Sequence, residues 1–277
     1  MPAQGATRAG PRPSPSFRAV LRSRLRQPQF YWFLGHFFTL YSFIRVHLSF
    51  FSRSSQLYYY KMLLFSISVT YGIVLYQYLK SGQLKLNAES LKRNIKTLDN
   101  LQYFVMISIL FICAMLSDTA AVEGATYSPT IFALFHCLNY FKENLLPFIP
   151  VATGVKNTIN SYITFFISKY NEQFLSMAQV FELMGCLRAG LLNLPVNLLQ
   201  LALTPFNLRS ILGVVSIAVY VWFFKLRYVQ SEKIRLISAQ FIRRIDSFVV
   251  GKLPANLFGK YVAYKGFVKR VFDAIPV

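Results

Sequence analysis

The chain has 277 residues, 55% hydrophobic and 17% aromatic, with 30 Lys+Arg against 10 Asp+Glu and a formal net charge of +20. Only 14% of its residues are charged and its mean hydropathy is +0.41, which is too little polar surface to cover a water-soluble globule of this size. Dense apolar blocks broken by short polar segments indicate an all-α, polytopic membrane protein, and the basic excess fits an anionic leaflet better than a nucleic acid.

Residues 1–28 read as a disordered, basic cytosolic tail, rich in Pro, Ser and Arg, and no acidic residue occurs before Glu89. The residue order of a cleaved signal peptide is missing, so the stretch from Phe30 is expected to act as an uncleaved anchor. "FRAVLRSRL" (17–25) is Arg-rich and weakly amphipathic. That keeps a mitochondrial transit peptide, and an inner-membrane location, as the competing reading.

Apolar blocks follow at 30–44, 62–79, 101–117, 124–141, 189–208 and 210–224. At ~1.5 Å per residue, the first and last, of 15 residues each, reach about 23 Å against a ~30 Å hydrocarbon core. The fifth contains Pro195 and Pro205. A membrane domain at 29–228 with four to six apolar helices is therefore expected.

Loop charges give the orientation. Six arginines precede the first block, and Lys80, Lys85, Lys92, Arg93 and Lys96 separate the second from the third. Only Asp118 and Glu123 lie between the third and fourth, while eleven Lys/Arg against three acids run from Lys225 to the end. Both termini are thus assigned to the cytosol. Arg45, Arg53 and Lys61 fit poorly in a lumenal first loop, so the first block is expected not to span fully.

Two stretches are amphipathic. Within 159–184, Ile159, Ile163, Phe166, Tyr170, Phe174, Met177, Phe181 and Met184 recur at steps of three or four. That helix either lies along the interface or packs on the bundle. Residues 229–277 are expected to form cytosolic amphipathic helices. In the last of them Leu257, Tyr261, Tyr264, Val268, Phe272 and Ile275 make an apolar stripe, with Lys260, Lys265, Lys269 and Arg270 around it. An apolar face edged with basic residues predicts a membrane-surface helix meeting anionic headgroups.

The fourth block carries His136, Asn139, Tyr140 and Glu143 at i, i+3, i+4 and i+7, on one helix face. Catalysis needs a nucleophile, a base and a charge stabiliser placed together, and no other block supplies partners. These four are expected to make interhelical polar contacts. A lipid enzyme would have to be built around His136, and a transporter or ion channel around Arg188, Glu182 and Glu143. Cys113, Cys137 and Cys186 lie in apolar stretches and read as buried small hydrophobes. No metal site, cofactor or catalytic residue is expected.

"FALFHCLNYFKENLLPFIP" (132–150) resembles the block of the transmembrane protein 33 family in which F-x-L-F-H-x-L-x-Y precedes an N-L-L-P turn. "FISKYNEQFLSMAQVFEL" (166–183) is similar to its next stretch, with Lys169, Tyr170, Asn171 and Glu172 at the K-Y-N-E positions, and "YVWFFKLRYVQSEKIRLISAQFIRRIDSFV" (220–249) to its last span, with Leu226, Arg227 and Tyr228 at L-R-Y. The resemblance implies a non-enzymatic multi-pass protein of the endoplasmic reticulum and nuclear envelope. Such a protein shapes or stabilises curved membrane and supports nuclear pore complex assembly or distribution. The implied partners are reticulon-type proteins, nucleoporins and an importin-type receptor.

Overall fold

The computed structural model describes residues 16–250, 252 and 254–277. Its helices are α1 (Phe17–Arg24), α2 (Pro28–Leu48), α3 (Arg53–Lys80), α4 (Ala88–Asn94), α5 (Asp99–Leu116), α6 (Tyr127–Tyr140), α7 (Thr153–Leu187), α8 (Leu194–Leu203), α9 (Leu208–Gln230), α10 (Glu232–Val250) and α11 (Ala255–Ala274). The described residues contain no strand. Where a disordered tail was expected, α1 is a helix, started by the Ser16 hydroxyl accepting from the Ala19 N–H at 3.3 Å. Residues 1–15 of that tail lie outside the described residues.

Helix α2 packs antiparallel between α3 and α6, α5 between α3 and α9, α6 also on α7, and α8 on α9. Gly35 of α2 meets Thr70 of α3, while Arg45 near the other end of α2 lies 4.7 Å above the Tyr59 ring. Tyr71 stacks on Tyr103 at 5.3 Å. Phe33 faces Tyr140 and Phe43 faces Tyr127. Leu212 packs by Cys113 at one end of α9, and Gln230 bonds Gln102 at the other.

Among the described residues, four helical stretches are long and apolar enough to cross a bilayer: Arg53–Lys80, Asp99–Leu116, the continuous Thr153–Leu203 and Leu208–Gln230. The first block extends to the 21 residues of α2, about 31 Å at ~1.5 Å per residue. Arg45 is accommodated by its seat on the Tyr59 ring. The fifth block does not break at Pro195, because the wider turn just before this proline leaves room for its ring and its missing N–H. A π turn over Arg188–Asn193 joins α7 to α8.

The core lies where α3, α5 and α9 meet, around Leu63, Leu64, Ile67, Met106, Ile107, Leu110, Tyr220 and Phe223. The segment between α5 and α6 folds inward in two short 3-10 turns. Tyr60 anchors it, donating to the Val122 carbonyl at 3.3 Å and accepting from the Val122 N–H at 3.0 Å. Lys61 pairs with Asp118 at 2.9 Å and Arg188 with Glu123 at 3.1 Å beside it. The Lys61 ammonium holds the Asp118 carboxyl below its ordinary range. All three cysteines are free and buried.

Candidate functional site

Two arrangements could carry function. The first is a polar network joining α5, α7 and α9. Tyr103 donates to Glu182, and Arg227 Nε lies 3.4 Å from the second oxygen of the same carboxylate. The Arg227 guanidinium also reaches Asp99 at 2.7 Å. Gln230 donates to Asp99 and accepts from Gln102, whose amide also donates to the Ile95 carbonyl at 2.8 Å. Glu182 is 1% exposed, Arg227 6% and Gln102 0%. A charge this deep is retained only when paired, so the network fixes which faces of the three helices meet.

The second is the hairpin of α10 and α11. One residue, Ser231, separates α9 from α10, and its hydroxyl accepts from the Ile234 N–H at 3.3 Å. Arg235 turns back to donate to the Tyr228 and Val229 carbonyls at 3.3 and 2.8 Å, capping the C-terminus of α9. Ile234, Ile237 and Phe241 of α10 pack with Leu183, Cys186 and Phe224. The other strut is Asp246, which accepts from Tyr261 at 2.6 Å and from Lys265 at 2.7 Å. These two donors hold the Asp246 carboxyl below its ordinary range, and the same bond pushes the Tyr261 phenol up to about 12.

Phe272 brings α11 back onto α9, 5.4 Å from the Tyr228 ring and 6.2 Å from that of Phe224. Lys225 lies 4.6 Å above the Phe272 ring and 3.8 Å from Asp273. This splits the expected stripe. Tyr261, Val268, Phe272 and Ile275 are half-buried, whereas Leu257 and Tyr264 are exposed together with Val262, Phe267 and Val271. Lys260, Lys269 and Arg270 are exposed, and Lys265 is drawn into the ion pair. The exposed apolar face continues on α10 as Leu236, Ile242, Ile245 and Phe248. The stripe divides because the aromatic end of α9 attracts one flank of α11, a contact that spacing within α11 does not encode.

Of the four expected polar residues, three lie on α6 and Glu143 in the π turn Phe141–Leu145 that follows it. His136 stacks on His36 at 4.8 Å and meets Trp32 at 4.6 Å, while Tyr140 stacks on Phe33 at 4.6 Å. Contrary to expectation, Asn139 and Glu143 make no hydrogen bond or ion pair with another helix among the described residues, and Glu143 is exposed. The α2–α6 interface is mainly aromatic, with His47 Nε2 lying 3.1 Å from the Tyr127 hydroxyl. A buried ion pair between helices is instead formed by Glu182 with Arg227, which the sequence offers only as a transporter candidate and as the arginine of L-R-Y. A signal was present: Ala178, Glu182, Gly185 and Ala189 recur at four, three and four residues, all buried, so the lone carboxylate rides on a small-residue packing stripe.

The arrangement defines a class: a helical, multi-pass membrane protein with a paired buried charge in its bundle and a basic amphipathic hairpin at one end. Among the described residues no group of His, Cys, Asp and Glu could hold a metal. The profile of the family described as Transmembrane protein 33/Nucleoporin POM33 matches residues 12–271, and the chain belongs to that family. It is 49% identical over 269 residues to the "Pore and endoplasmic reticulum protein of 33 kDa" of Saccharomyces cerevisiae, covering 96% of this chain and 98% of that protein. It is 24% identical over 244 residues to "Nucleoporin POM33" of Chaetomium thermophilum, covering 79% and 78% of the two chains. No solved structure matches it.

Proposed function

We propose that this protein is a non-enzymatic component of the endoplasmic reticulum and nuclear envelope that stabilises curved membrane and supports nuclear pore complex assembly or distribution. Its location is inferred from the relative named a pore and endoplasmic reticulum protein, similar over nearly the whole of both chains. The observation that carries the mechanism is the α10–α11 hairpin. It is fixed to the end of α9 and presents exposed Leu257, Val262, Tyr264, Phe267 and Val271 beside Lys260, Lys269 and Arg270. Such a face inserts shallowly under anionic headgroups and spreads one leaflet. Both termini then lie in the cytosol. Nucleoporins, reticulon-type proteins and an importin-type receptor are its proposed protein partners.

Full-length protein reconstituted into vesicles of phosphatidylcholine and phosphatidylserine tests the mechanism. Cryo-electron microscopy should show smaller or tubular vesicles, and replacing Tyr264, Phe267 and Val271 with Ser should restore the diameter of protein-free vesicles. Curvature unchanged by the wild-type chain would remove the mechanism. A fluorescent fusion staining the nuclear rim and peripheral reticulum tests the location, and mitochondrial staining would overturn it.

A further inference from the structure

We propose that a cleft between the start of α2 and the end of α6 is a binding site for the phosphate of an anionic phospholipid head. A cavity of about 450 Å³ is lined there by Arg24, Gln27, Gln29, Trp32, Tyr140 and Asn144. This set holds one cation, three amides and two aromatics, and no carboxylate. Arg24 donates from one guanidinium nitrogen to Gln27 at 2.9 Å, while its buried Nε has no partner. Tyr140 is 6% exposed, and its buried hydroxyl also lacks a partner.

Two unmet donors in one cleft are costly unless an acceptor arrives to take them. The cleft also receives the first turn of α2. Gln27 caps that helix without a side-chain bond, and although Pro28 has no N–H and that of Phe30 is bonded to Gln27, the positive end of a 21-residue dipole faces the cleft. A phosphate answers all three: it carries negative charge and accepts several hydrogen bonds. The backbone narrows the choice further, since the chain past Tyr140 makes a π turn at Phe141–Leu145 and opens the wall holding Asn144.

A lipid rather than a soluble phosphate is the source because of where the cleft lies. Gly35 of α2 lies against Thr70 of α3, a helix long and apolar enough to span, so the antiparallel pairing sets the first turn of α2 beside the Lys80 end of that span, at headgroup level. Phe37, Phe38 and Tyr41, about two to three turns further along, are exposed and offer an apolar path for acyl chains. The site does not depend on the curvature mechanism, which belongs to the other end of the sequence.

Native mass spectrometry of the full-length protein in micelles doped with dioleoylphosphatidic acid tests this. Arg24→Gln and Tyr140→Phe should each lower the fraction carrying bound lipid by about tenfold in apparent affinity, the effect of one charge-assisted or buried hydrogen bond. Arg26→Gln, which alters an exposed arginine nearby, should not. Tyr140→Phe keeps the ring that stacks on Phe33, so its effect is separable from misfolding. Equal lipid retention by both cleft variants and wild type overturns the site. Retention of glycerol 3-phosphate as strong as that of the lipid overturns the membrane source, and equally cleft-dependent retention of dioleoylphosphatidylcholine overturns the preference for an anionic head.

Discussion

Arg227 Nε stands 3.4 Å from a Glu182 carboxylate oxygen in the interior of the helix bundle, joining helices that are 45 residues apart in sequence. Arg227→Leu would leave the buried Glu182 carboxylate with Tyr103 alone, and breaking one side of a buried pair costs ~3–5 kcal/mol. Arg227→Leu combined with Glu182→Leu should recover a large part of that loss. Thermal unfolding of the detergent-purified variants checks both, and a double variant less stable than the single would contradict the ion-pair account.

Gly185 lies against Tyr220 so closely that a Cβ added there would collide with the phenol ring, and one added to Gly124 would lie 2.8 Å from the Gly185 Cα. Gly185→Val should therefore destabilise by ~1–3 kcal/mol through overpacking. Gly190→Ala, whose added atom meets Val221 at an ordinary 3.5 Å, should be tolerated. The same unfolding measurement separates the two.

Phe272→Ala removes the aromatic contact that holds α11 to α9. Losing about half of the ~1.5–3 kcal/mol of a fully buried side chain should raise amide hydrogen exchange in 255–274 by roughly three- to tenfold, with exchange in α9 unchanged. Uniform protection in both helices would show that the Asp246 clamp suffices alone.

That clamp has a pH signature. The Asp246 carboxyl is depressed by Lys265 and Tyr261, so its contribution is present above the ordinary carboxylate pKa of ~3.9 and is lost as pH falls through the lower folded value. Spin labels on Arg243→Cys and Lys269→Cys should keep a constant separation from neutral pH to about 5 and move apart in stronger acid. Asp246→Asn should show the wider separation at neutral pH, and a spacing unaffected by Asp246→Asn would rule out the clamp.

Much of the fold was legible because lipid forces backbone groups to bond within each segment, so apolar blocks can only be helices. The all-α class, the spans at α3, α5 and α9, and the family followed from block length and quoted motifs. What the sequence hid was rotation. Arg227 ends an aromatic-rich block, where a basic residue ordinarily reaches for headgroups, yet it points inward because Asp99 and Glu182 wait on two other helices. His136 and Tyr140 share a polar face by spacing, but their partners on α2 are rings, so they stack. Phe272 belongs to the stripe of α11, and only the neighbouring end of α9 decides that it docks instead of facing outward.

The join at Ser231 has a mechanical corollary. With a single residue between α9 and α10, and Arg235 gripping the last carbonyls of α9, the hairpin is a welded bracket and not a float on a tether. A bilayer settling against its greasy face would inherit its local slope from the protein, and bending stress at that surface would travel down α9 toward the Arg227 linkage.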